Sequence, residues 1–178
     1  MQGRPTGCPC LFNMPRLDQG VTRDRYQLIP RTAVFVRRGD EYLLIKGAAT
    51  KRLWAGKYNC PGGHVERGED VLSAARRELA EETGLQADLV LCGTVIVDVG
   101  ETGICLFVFL GEHPMGELQP SAEGSAEWVR LNRIAELPVV EDLPALLGRL
   151  AKMEAGGNPF SARSFYDSGD HLVLQFID

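Results

Sequence analysis

The chain has 178 residues, of which 44% are hydrophobic and 24% charged, the length of a single domain with a real core and an ordinary globular composition. Its formal net charge of −5 argues against a nucleic-acid polymer as partner, because phosphate backbones reward a basic surface. A small anionic ligand stays open, since a bound cation reverses the local charge of an acidic pocket.

No apolar stretch approaches bilayer-spanning length, so no membrane partner is expected. The opening residues lack the apolar core of a signal peptide, and a cytoplasmic location is expected. Cys8, Cys10, Cys60, Cys92 and Cys105 are odd in number and scattered, which reads as free thiols. Cys8 and Cys10 lack the second Cys or His pair that a structural zinc site needs.

Residues 1–25 are rich in Gly, Pro, Arg and Asp with little periodicity, and read as a loose N-terminal arm. Ile29 to Val36 is apolar and rich in β-branched residues, a buried strand. Arg37 to Asp40 is a turn and Tyr42 to Ile45 the returning strand of a hairpin. Residues 46–61 form a polar loop punctuated by Gly and Pro, carrying Lys46, Lys51, Arg52, Trp54 and Lys57.

Asp70 to Thr83 is predicted helical, with Asp70 as N-cap, Gly84 as stop, and Leu72, Ala75 and Leu79 on one apolar face. Leu89 to Val99 and Ile104 to Leu110 are strong strands, and Glu127 to Leu131 a shorter one. Ile134 to Leu137 is one helical turn. Asp142 to Met153 is an amphipathic helix with Leu143, Leu146, Leu147 and Leu150 inward. Ala162 to Phe165 and Leu172 to Phe176, joined by Asp167 to Asp170, form a C-terminal hairpin. It pairs either with the domain's own sheet or with a partner's edge strand. Strands and helices mix without strict alternation, which favours an α/β fold with a mixed sheet covered by helices.

The chemistry concentrates in Gly63 to Leu85. On a helix, Glu78, Glu81 and Glu82 stand at i, i+3 and i+4 and project to one side. Like charges that close need compensation, and Arg77 alone is too little. A hard divalent cation with oxygen ligands is the natural candidate, against the plainer alternative of a solvated acidic face. Pro61-Gly62-Gly63 precedes the helix, where bare backbone can approach a metal or phosphate.

Gly63–Leu85 matches the Nudix box, G-x5-E-x7-R-E-U-x-E-E-x-G-U with U a bulky apolar residue, at every fixed position. The chain therefore resembles the Nudix hydrolase family. Lys46 to Asn59, followed by Pro61-Gly62-Gly63-His64, resembles the family's mutator-type members, commonly labelled 8-oxo-dGTP diphosphatases. The looser resemblance extends over roughly residues 30–150.

The resemblance implies an α/β/α sandwich spanning residues 26–178, with the hairpin at 160–178 included. It implies a Mg²⁺-dependent pyrophosphohydrolase, with Mn²⁺ as a substitute, cleaving a nucleoside di- or triphosphate derivative. The leading substrate is an oxidised dNTP, cut to monophosphate and pyrophosphate. ADP-ribose or another nucleoside diphosphate sugar is the alternative, and a non-catalytic nucleotide-sensing module the alternative of another class. The partner is a small nucleotide, and the assembly a monomer or homodimer.

Residue by residue, the resemblance makes Glu81 and Glu82 metal-binding carboxylates. Glu78 becomes a metal ligand or general base, Arg77 the residue that orients it, and the Gly62 carbonyl a further ligand. Glu69 ties the loop to the helix. Beyond the box, Glu123 is the favoured outer carboxylate and Glu127 second. Arg31, Lys46 and Arg52 are candidate substrate-binding cations, with Lys51 and Lys57 beside them as phosphate-gripping residues. Trp54 is a candidate for stacking on a base, as is Tyr58. Glu141 and Asp142 fall where members that read oxidised purines place base-recognising groups; Asp142 serves equally well as an N-cap.

Overall fold

The computed structural model describes Pro15 and residues 19–22, 24–154 and 157–177. The expected arm at 1–25 lies largely outside the described residues, as do Cys8 and Cys10. Cys60, Cys92 and Cys105 are free thiols, as expected.

The backbone of the fold is β1 (Gln27–Arg38) lying parallel to β5 (Thr102–Met115), in register from Gln27↔Thr102 to Val36↔Gly111. Antiparallel β4 (Gln86–Val97) flanks β5, β7 (Phe160–Tyr166) runs parallel to β4, and β8 (Leu172–Ile177) closes the hairpin against β7. The C-terminal hairpin thus pairs with the domain's own sheet. On the other side, β2 (Glu41–Gly47) pairs with β1 only next to the turn, at Arg37↔Tyr42 and Arg38↔Glu41. It then carries β3 (Tyr58–Asn59) and β6 (Gly124–Arg130). The sheet order is β3-β2-β1-β5-β4-β7-β8, with β6 also on β2.

The divergence of β2 from β1 makes room for the site. Where the hairpin would have continued, Thr32 and Val34 donate their N–H groups to the carbonyls of Gly63 and Pro61, both at 2.8 Å. The Pro61–Gly63 backbone therefore rides on β1.

Strand alternation splits the core into two layers. Ala33, Phe35, Tyr42 and Leu44 pack on one face with Leu143, Leu146, Leu147 and Leu150 of α2 (Leu143–Leu150). Val34, Val36 and Leu43 pack on the other with Ala75 and Leu79 of α1 (Val71–Thr83). This is the expected α/β/α arrangement. Each fully buried Leu or Phe contributes about 1.5–3 kcal/mol of apolar burial, so both helices are held by their inner faces.

Both ends of α1 follow the sequence. The Asp70 carboxylate accepts the N–H groups of Leu72 and Ser73 at 2.9 and 3.0 Å. Gly84 turns out of the helix at φ 76°, where an added Cβ would meet the Glu117 carbonyl at 2.7 Å.

Elsewhere the boundaries move. The stretch 46–61 is not all loop, because Tyr58–Asn59 joins β2. The single turn at Ile134–Leu137 is a 3₁₀ helix over Leu131–Glu136. The last helix is shorter than its apolar pattern: Lys152 and Met153 bond back to Arg149 and Leu150, tightening the chain out of the α register. Asp142 stands at its N-terminus but makes no side-chain cap bond. Among the described residues, no helix is long and apolar enough to cross a membrane.

Candidate active site

Arg77 is the hub of one wall. Its Nε and Nη2 donate to the two Glu69 oxygens at 2.8 and 3.0 Å. Its Nη1 reaches Glu78 at 2.9 Å and Glu81 at 3.1 Å, and Nη2 also donates to the His64 carbonyl at 3.1 Å. A planar fork is what allows one side chain to serve so many acceptors. Glu69 in turn accepts the Glu66 N–H at 3.0 Å, so it ties loop to helix as expected. The bonds from Arg77 hold the Glu69 carboxyl below its ordinary value.

Glu82 lies one helical turn on and faces a cleft. Its carboxylate accepts the Gly62 N–H at 2.9 Å. Burial pushes its pKa up to about 7, and the nearby Glu78 and Glu123 charges add to the effect against Gly62 and Lys51. Here the chain concentrates negative charge that its own cations only partly offset.

The glycines are required by contact. Gly62 has φ 143°, and a Cβ there would lie 2.2 Å from the Thr32 carbonyl oxygen. At Gly63 a Cβ would lie 2.4 Å from Glu78 Oε1. Bare backbone thus lets loop and helix carboxylates meet.

The opposite wall comes from loops. Lys51, Trp54, Lys57, Asn59 and Cys60 line the cleft with Gly62, Glu82 and Glu123. Lys51 forms an ion pair with Glu123. Lys57 pairs with Glu141 at 2.6 Å. Trp54 is 44% exposed and holds φ 59°, a conformation that a bulky residue keeps only when its surroundings impose it. Asp142, beside Glu141, is mostly enclosed, and burial raises its carboxyl above the usual range.

Several expected residues stand elsewhere. Arg31, Lys46 and Arg52 do not line the cleft. Arg31 donates to His64 Nε2 at 3.1 Å, Lys46 lies 5.8 Å above the Tyr58 ring, and Arg52 is exposed. Tyr58 is 7% exposed, built into the core, and its hydroxyl donates to Glu127 at 2.5 Å, so its ring does not offer a stacking face. That bond takes Glu127 to a different hollow, beside Val129 and Leu137. Of the two outer carboxylates, only Glu123 faces Glu82's cleft.

Neither Asn59 nor Cys60 was expected at the site. Asn59 ends the short β3 and Cys60 follows it, so both line the cleft, and a two-residue strand carries no periodic signal.

Among the described residues, no three carboxylate, His or Cys side chains are gathered as they stand around one point. Arg77 draws Glu78 and Glu81 to itself, and Gly62 engages Glu82. Glu82 and Glu123 nonetheless line one cleft with Gly62, and Glu78 is near enough to push the Glu82 carboxyl up; oxygen donors with excess charge suit a hard divalent cation that keeps several waters.

Known proteins resemble the chain in sequence and in fold. The NUDIX domain family matches residues 28–150. The chain is 38% identical over 97 residues to the human "8-oxo-dGDP phosphatase NUDT18", covering 53% of this chain and 28% of that protein. It is 36% identical over 106 residues to the zebrafish (Danio rerio) "Oxidized purine nucleoside triphosphate hydrolase", covering 58% of this chain and 67% of that one. The chain thus spans little more than a quarter of the human relative's length. In structure it is similar to the MutT protein from Bacillus halodurans, with a TM-score of 0.70 and 25% identity over 84% of this chain and 97% of that one.

Proposed function

This chain belongs to the NUDIX domain family, and we propose that it is a divalent-cation-dependent hydrolase of a phosphoanhydride bond in an oxidised purine nucleoside di- or triphosphate. One observation carries the reading. Arg77 holds Glu78 and Glu81 of α1, and Glu82 of the same helix, engaged by the Gly62 N–H, lines a cleft together with Gly62 and Glu123.

Glu81, Glu82, Glu123 and the Gly62 carbonyl would hold the ion, Mg²⁺ or Mn²⁺ in its place. When bound, such an ion neutralises the phosphate charge and makes a coordinated water more acidic. Glu78, 15% exposed and oriented by Arg77, takes the proton from the attacking water onto its carboxylate. Arg77 keeps that carboxylate in one position, so its orientation is settled before substrate arrives. Lys51 and Lys57 meet the phosphates. Trp54 supplies an apolar face for the base, while Glu141 and the enclosed Asp142 read its polar edge.

The names of the human and zebrafish relatives support an oxidised purine as the base. The intact set of carboxylates favours catalysis over a sensing role. A product assay tests the reading. The purified chain, with Mg²⁺, receives 8-oxo-dGTP, 8-oxo-dGDP, unmodified dNTPs and ADP-ribose, and products are separated by ion exchange. Monophosphate from an oxidised nucleotide, well above its normal counterpart and dependent on the cation, is expected. AMP and ribose 5-phosphate from ADP-ribose as the preferred reaction would transfer the site to nucleoside diphosphate sugars.

A further inference from the structure

The cation site and the phosphate-binding lysine are not independent here, because Glu123 and Lys51 hold each other. Backbone bonds fix both. The Ala48 N–H donates to the Glu123 carbonyl at 3.0 Å, and the Lys51 N–H donates to the Ala48 carbonyl at 3.0 Å. Next to Glu123, a Cβ on Gly124 would lie 2.0 Å from the Lys46 carbonyl oxygen, so the two loops touch backbone to backbone. The Lys51 ammonium is thereby delivered to the one outer carboxylate that faces Glu82.

A divalent cation and an ammonium repel each other and compete for the same carboxylate oxygens. A cation that takes Glu123 must displace the ammonium. The displaced group hangs on a flexible four-carbon stem in a cleft it already lines, beside Trp54 and Lys57. With Glu82, the other carboxylate of this cleft, engaged by the same cation, the anion left to it is the substrate's phosphate.

We propose that Lys51 is an exchange residue: it occupies Glu123 in the empty site and passes to the substrate's phosphate when the cation takes Glu123, coupling cation and nucleotide binding. This rests on the cation-dependent hydrolase reading. Without nucleotide, the cation enters against the cost of stranding an ammonium. With nucleotide, the ammonium has a new partner and that cost falls. Because linkage is reciprocal, each ligand then tightens the other. Lys57 has no such role, since its partner Glu141 lies off the carboxylate rim.

The test is Mn²⁺ binding by electron paramagnetic resonance on the full chain, with and without a non-hydrolysable nucleotide, in wild type, K51M, K51R, E123Q and the double variant K51M/E123Q. Thermal melts confirm that each variant is folded. In the absence of nucleotide, K51M is expected to bind Mn²⁺ tighter by roughly two- to fivefold, the range a half-exposed ion pair sustains. K51R keeps the charge and the pair, and stays near wild type. The gain from K51M disappears in the E123Q background, and the tightening of Mn²⁺ by nucleotide shrinks in K51M. Unchanged or weaker Mn²⁺ binding by folded K51M, with wild type binding normally, would overturn the exchange and leave the hydrolase reading standing. No Mn²⁺ binding by wild type, with or without nucleotide, would overturn both.

Discussion

The two walls of the cleft are built by different means. On the α1 wall, Arg77 ties Glu69, Glu78, Glu81 and the His64 carbonyl into one unit, and Gly62 and Gly63 fit against it with no room for a side chain. On the opposite wall, charges are held by separate, partly exposed pairs, Lys51–Glu123 and Lys57–Glu141. Pairs of that kind stabilise by about 0–1 kcal/mol each. A wall that is fixed before substrate arrives suits the reacting centre, while a wall of weak, replaceable contacts suits recognition. Loops can therefore change the substrate without touching the reaction.

The largest effect that sharpens this contrast lies at Glu82. Replacing it by Gln removes a charge from the rim and should lower kcat by roughly a hundred- to thousandfold, the scale of losing one charge-stabilising group. The same variant should be more stable. The folded carboxyl titrates at about 7 instead of its ordinary 4.5. Between those values the folded chain holds a proton that the unfolded chain has lost, so stability falls as pH rises through that window. Without cation, Glu82→Gln should gain on the order of 1–3 kcal/mol over wild type above pH 7 and nothing below about pH 4.5. Thermal melts across pH check this, and equal gains at both ends would break it.

Arg77→Ala comes next. It frees Glu78 and strands Glu69, and turnover should fall by roughly ten- to a hundredfold, as when a group orienting a metal ligand is lost. Gly63→Ala should act through the same carboxylate, because its Cβ would collide with Glu78. A kcat loss with little change in KM is expected, and normal kcat would show that Glu78 tolerates displacement.

Across the cleft, Glu123→Gln should slow turnover more than Glu127→Gln, whose side chain is engaged by Tyr58 in another hollow. The reverse order, read from steady-state rates, would move the outer carboxylate to Glu127. The smallest effect belongs to Lys57→Ala, which should raise KM by a few-fold with kcat retained.

The same contrast explains what could be read from the residues alone. The α1 wall was legible because a helix fixes the i, i+3 and i+4 directions of Glu78, Glu81 and Glu82, and because Asp70 and Gly84 mark its ends. The apolar run of β1 read as a buried strand, and the inward faces of the two long helices were legible from their spacing, while the division of the core into two layers came from the fold. The opposite wall was harder. Lys46, Lys51 and Arg52 look alike in a polar loop, and only the fold decides that Lys51 alone of the three lines the cleft. Tyr58 resembled a loop aromatic until β3 placed it in the core. Asn59 and Cys60 reach the cleft through the path of that strand, which no local pattern encodes.

The most direct test of this division of labour is the ratio of kcat/KM for 8-oxo-dGTP to that for dGTP in wild type, Glu82→Gln and Trp54→Ala. If α1 sets the reaction and the loops set the substrate, Glu82→Gln lowers both rates together and leaves the ratio unchanged, while Trp54→Ala keeps kcat and shifts the ratio. A ratio that moves with Glu82→Gln and stays fixed with Trp54→Ala would contradict it.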